Sequence, residues 1–200
     1  MKNFLLPITL VVCLANIFTF YSNKKVIAEP IEAPIDFPVA EEKQEPEIIV
    51  KEPEIEIQVP IAQNNRIYNK SGDQCGWASL ETLARHHEIK SLYDLTKNHK
   101  SLINDNNGPN VLKRKKVEFK YQKQTDKNVE ILKTYVEQKH YGAAVGLDGT
   151  HMVTLCHFDE KNGIVKFIDN SGPNALEIQT WDIKKFLERW DGTTYVLIPD

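Results

Sequence analysis

Residues 29–60 limit what this chain can fold into more than any other stretch. Six of the ten prolines fall there, and ten acidic residues stand against only Lys43 and Lys51, for a net charge of −8. Proline fixes an extended backbone and like charges repel, so the segment is expected to be a stiff, solvated spacer reaching up to ~100 Å at ~3.1 Å per residue. The alternating run from Ile48 to Val59 has the pattern of an added strand, but the composition favours disorder. A folded body must therefore come from residues 61–200. These are enough for one real core and carry a net charge of +2.

The spacer follows an apolar run. Phe4 to Tyr21 is interrupted only by Thr9, Asn16 and Thr19, follows Lys2, and is about long enough to span a bilayer. Residues 1–28 are read as a transmembrane signal-anchor or a cleaved signal peptide. Lys24-Lys25 directly after the run suit an anchor, and Val26-Ile27-Ala28 is a mediocre cleavage site. Leu10-Val11-Val12-Cys13 is laid out like a lipobox, yet Val12 is too large for the position before a lipidated cysteine. The expected placement is a head outside the cytoplasm, held to a membrane, or secreted or periplasmic after cleavage.

The head reads as α+β. Apolar residues at helical spacing start a helix at Cys75; Ser91 to Lys100 and Val111 to Lys116 are short helical pieces around a loop at Asn104 to Asn110. Val117 to Gln122 alternates as a strand, and Val129 to Lys139 has a helical period. Strands are expected at Ala143 to Leu147, Met152 to Phe158, Gly163 to Asp169 and Thr193 to Ile198, with an amphipathic helix at Trp181 to Trp190. A helical first half and an antiparallel second half leave room for a cleft between them.

Cys75 ends the polar loop Asn69-Lys70-Ser71-Gly72-Asp73-Gln74, with Asp73 or Ser71 as candidate N-cap. The unpaired N–H groups and dipole of a helix N-terminus favour a thiolate, the reactive form of cysteine. Its partner follows from hairpin arithmetic. Met152 to Phe158 and Gly163 to Asp169 turn near Lys161, which sets His151 opposite Asn170 at the open end. An imidazole beside an amide is a known solution for thiol catalysis: the ring takes the thiol proton and the third group holds its tautomer. Asp169 competes for that role, but alternation puts it on the other face of the strand from Asn170.

Cys75-Gly76-Trp77-Ala78-Ser79-Leu80, His151-Met152-Val153 and Ile168-Asp169-Asn170-Ser171 follow the chain order Cys, His, Asn of the papain-like cysteine peptidases. The chain is most similar to the compact bacterial and phage-associated relatives of the bacteriocin-processing, double-glycine leader peptidases, over roughly residues 69–199. The resemblance implies a papain-like fold with Cys75 as nucleophile, His151 as general base and then acid, and Asn170 as orienter. The oxyanion-hole glutamine of that family normally lies six residues before the cysteine. Asn69 holds that position here, and Gln74 is adjacent to the cysteine, so either amide is a candidate. The bacteriocin-processing enzymes usually place Asp in the third role, which keeps Asp169 in play.

The implied activity is thiol hydrolysis of a peptide or amide bond in a peptide or protein substrate, with no cofactor. A transferase or a deamidase uses the same Cys/His chemistry. The alternative is a papain-like module that binds a peptide without turning it over. No basic field implies nucleic acid, and the Lys113 to Lys116 run reads as a solvated helix end. A zinc site from His151, Cys156 and His157 fails on strand geometry, so no metal is expected. Cys156 reads as a core residue, and the head is expected to be monomeric.

Overall fold

The computed structural model describes residues 56–200, so the apolar segment and most of the spacer lie outside the described residues. Six antiparallel strands form one sheet in the order β1-β6-β2-β3-β4-β5. They are β1 (Phe119–Gln122), β2 (Ala143–Leu147), β3 (His151–Asp159), β4 (Ile164–Ile168), β5 (Ile178–Asp182) and β6 (Trp190–Leu197). The helices are α1 (Cys75–His86), α2 (Leu95–Asn98), α3 (Asn107–Arg114), α4 (Glu130–Leu132, continuing as a π-helical turn over Lys133–Gln138) and α5 (Ile183–Arg189).

Both faces of the sheet are covered. On one, Trp77, Leu80, Leu83 and Ala84 of α1 pack with Ala144, Met152, Cys156 and Ile168, backed by Leu92, Leu95, Val111 and Leu112. On the other, Leu132, Val136 and Phe186 pack with Val145, Leu147, Val153, Leu155 and Phe167. This double covering explains why β2 is buried along its whole length instead of alternating with solvent.

Helix α1 is buried all round from Cys75 to Ala84, polar residues included. Each of those has a partner, as buried polar groups require. Thr82 Oγ1 accepts the Ile67 N–H at 3.0 Å. Glu81 accepts from the Thr96 N–H at 3.0 Å and the Thr96 hydroxyl at 2.7 Å, and pairs with Arg85 at 2.8 Å. Burial alone would raise the Glu81 pKa, but the Thr96 and Arg85 contacts outweigh it and hold the carboxyl below its usual range. The segment around α2 is thereby fastened to α1.

Several elements depart from the sequence reading. The ordered body starts before Ile61: Val59 is fully buried, its N–H donates to Cys156 O at 3.0 Å, and the Gln58 side chain brackets Phe158 through its N–H and its carbonyl. The end of the expected spacer is therefore a strap on the sheet side of α1. Helix α3 opens at Asn107, inside the expected loop, where Asn104 Oδ1 accepts the N–H groups of Asn106 and Asn107. The expected helix over Trp181 to Trp190 is shorter, because residues 178–182 pair with β4 as an edge strand and Asp182 caps the helix behind it. The segment Ser91 to Lys100 holds only a short 3-10 turn and the single turn of α2.

The β3–β4 hairpin carries the consequential difference. Phe158 pairs with Val165 and His157 with Lys166, but then Leu155 pairs with Phe167 and Thr154 with Ile168. Cys156 is the extra residue of a β-bulge. A bulge shifts every pairing beyond it by one residue, which exchanges faces. Continued to the open end, this register sets Asn170 beside Met152, and places Asp169 on the same side as His151.

Candidate active site

Cys75 begins α1, with Gln74 at the N-cap position and no side-chain cap from Ser71 or Asp73. Ser71 instead donates its hydroxyl to Gln74 Oε1 at 2.8 Å. Asn69 satisfies one of the loose N–H groups at the helix start, accepting from the Gln74 N–H at 3.3 Å. His151 begins β3 across a cleft of about 480 Å³ that both residues line.

The ring of His151 is held from behind by a carboxylate. Asp169 Oδ1 lies 2.9 Å from His151 Nε2 and also accepts the Ser171 N–H at 2.9 Å. With Nε2 committed to Asp169, Nδ1 is the nitrogen left for the thiol. The Asp169 bond is the largest cause of a His151 pKa pushed up to about 9, the Cys75 thiol is the second, and partial burial opposes both. Asp169 is itself held below its usual range: burial would raise it, but His151 and the Ser171 N–H prevail.

In this geometry Asp169, the alternative orienter, meets the ring, and Asn170 does not. Asn170 is 1% exposed and turns its amide away from His151, into α1. Its Nδ2 lies 2.8 Å from Cys75 O, 2.9 Å from Ser79 Oγ and 3.2 Å from Met152 O. Arithmetic from the turn missed this because a bulge at Cys156 has no sequence signature in an apolar strand.

The two amide candidates for an oxyanion hole also separate. Gln74 donates to the carbonyls of Thr96 at 2.6 Å and His99 at 2.5 Å, so both of its side-chain protons fasten the segment after α2 to the start of α1. Trp77 does the same, donating to Ser101 O at 2.7 Å with its ring stacked on His99. Asn69 donates from Nδ2 to Ser171 Oγ at 3.1 Å, and its other Nδ2 proton meets no acceptor among the described residues.

The cleft walls include residues that sequence reasoning passed over. One wall is the loop 102–106, with Ile103 pressed on Gly76; the other holds Gly146, Asp191 and Thr193. A Cβ on Gly76 would meet Ile103 Cγ2 at 2.0 Å and Met152 Sδ at 2.8 Å. A Cβ on Gly146 would fall 2.5 Å from the Asp191 carboxylate. A glycine inside a helix start and another inside a strand were the available signals of close approach.

The site thus sets a helix-borne thiol facing an imidazole on an antiparallel sheet, with a carboxylate behind the ring. The fold that carries it has a counterpart among solved structures. The chain matches a double glycine motif protease from an AMS/PCAT transporter, a structure determined in complex with the leader peptide, with a TM-score of 0.50 and 14% identity over 72% of this chain and 93% of that one. The fold is thus the one that the resemblance implied. No protein-family profile matches the sequence, and no curated protein matches it.

Proposed function

We propose that the protein is a thiol peptidase in which Cys75 is the nucleophile, His151 the proton carrier and Asp169 the group that orients and charges the ring. The observation that carries this reading is the bond from Asp169 to His151 Nε2, which leaves Nδ1 for Cys75 in a shared cleft. The imidazole takes the thiol proton, and the thiolate attacks a substrate carbonyl. The oxyanion is met by the Cys75 backbone N–H in the first turn of α1 and by the remaining Nδ2 proton of Asn69. His151 then protonates the leaving amine, and water, deprotonated by the same ring, releases the acyl group from sulfur. The complex of the structural neighbour with a leader peptide supports a peptide as occupant of the cleft. Residues 1–28 tether or export the head in this reading, and the acidic spacer holds it away from the membrane.

Labelling of the purified chain by an electrophilic peptide probe, followed by mass spectrometry, tests the proposal. The adduct is expected on Cys75 and absent from Cys75→Ala, a substitution that suits a first helical turn. His151→Ala should label far more slowly at neutral pH. Equal labelling of that variant would make the cleft a peptide-binding module and not an enzyme. Deletion of residues 1–28 should give a soluble, monomeric protein with the same labelling; membrane retention of the truncated chain would refute the tether.

A further inference from the structure

Asn170 is placed to do something other than orient a ring, and we propose that it is a positioning residue which sets the separation of Cys75 and His151 by clamping the first turn of α1 to the start of β3. The inference rests on the reading of Cys75 and His151 as a reactive pair. Two chains of contact leave its one amide. The first runs from Nδ2 to Cys75 O at 2.8 Å, the carbonyl of the residue that carries the sulfur. The second runs from Nδ2 to Ser79 Oγ at 2.9 Å, and Ser79 donates onward to Met152 O at 3.4 Å. Nδ2 also lies 3.2 Å from Met152 O directly. Met152 is the neighbour of His151, so one fully buried amide ties the residue bearing the thiol to the residue beside the imidazole.

The other atoms of Asn170 keep that amide from turning. Its Oδ1 accepts the Ser171 hydroxyl at 3.0 Å, and its carbonyl accepts the Asn69 N–H at 2.8 Å. Oδ1 and Nδ2 are therefore distinguished by their partners, and a flipped amide would aim an oxygen at two carbonyls. Neighbouring residues of one extended segment thus serve the same pair from opposite sides: Asp169 holds the ring, and Asn170 holds the distance. Proton sharing between sulfur and nitrogen falls steeply with separation, so a small shift at the clamp is felt at the pair.

The test reads the pair and not the fold alone. The second-order rate of Cys75 alkylation by iodoacetamide is measured against pH on the full chain, together with the melting temperature. An imidazole that shares the thiol proton gives the parent reactivity well below the pH at which an isolated thiol ionises. In Asn170→Ala this low-pH reactivity is expected to fall at least tenfold at pH 6.5, while the rate at pH 10, above the range in which an ordinary thiol ionises, changes less than threefold. Leu132→Ala, on the opposite face of the sheet, supplies a destabilised control that should keep the parent profile. If Asn170→Ala does not fold, Ser79→Ala takes its place, with the same loss expected in smaller measure, at least threefold at pH 6.5. A folded variant with the parent profile overturns the proposal. If the parent lacks low-pH reactivity, or His151→Ala retains it, the reactive pair itself is refuted and the proposal falls with it.

Discussion

His151 Nε2 and Asp169 Oδ1 stand 2.9 Å apart, with side chains 31% and 23% exposed. That contact joins the first residue of β3 to the residue just after β4, and it decides which of two adjacent polar residues serves the imidazole. Asp169→Asn should keep an amide oxygen on the ring but weaken, by removing its charge, the hydrogen bond that contributes most to the raised His151 pKa. Probe labelling at neutral pH is expected to drop by about ten- to a hundredfold, with the fold intact by circular dichroism. Parent-like labelling would return the orienting role to another residue.

The same pair makes stability depend on pH in a stated direction. His151 is raised from 6.5 to about 9, so its contribution is fully present below pH 6.5 and is lost as pH rises through about 9. Asp169 is lowered from 3.8, so its contribution is present above that value and is lost as pH falls through its lower folded value. Partial exposure reduces the pair to on the order of 1–2 kcal/mol. The melting temperatures of the parent and Asp169→Asn should differ most near pH 5–6 and converge by pH 10. A constant difference across that range would mean that Asp169 acts through packing alone.

Gly76→Ala tests the close approach that forms one cleft wall. With Ile103 Cγ2 at 2.0 Å from the new methyl, Ile103 must leave its place on α1, at a cost of about 1–3 kcal/mol. Because Ile103 lines the cleft, the variant should also lose peptide-probe labelling more than it loses reaction with iodoacetamide, which needs no cleft wall. Equal losses of both would place the effect on the thiol and not on the wall.

Val59 tests where the folded body begins. Its fully buried side chain packs with Leu83 and Cys156 in the core cluster around α1. Val59→Ala should lower stability by about 1.5–3 kcal/mol by chemical denaturation. A neutral Val59→Ala would return residue 59 to the spacer.

Much of this protein was legible in residue order alone. The period of Trp77, Leu80, Leu83 and Ala84 determined α1, and the loop before it put Cys75 in the first turn, because those signals are local. The apolar runs at Ala143 to Leu147 and Met152 to Phe158 determined central strands for the same reason. The β5 edge strand escaped, since Ile178 to Asp182 alternates too briefly to be told from the start of a helix.

Tertiary structure decided the finer chemistry. Whether Asp169 or Asn170 meets His151 depends on hairpin register, and register turns on a single extra residue at Cys156 that looks like any other apolar strand position. Whether Gln74 has a side-chain proton to spare depends on the carbonyls of Thr96 and His99, more than twenty residues along the chain from it. Local sequence sets the period of an element and the residue that starts it. Which of two neighbouring side chains faces a distant partner is set by pairing and packing across the chain, where one bulge or one buried hydrogen bond reverses the answer.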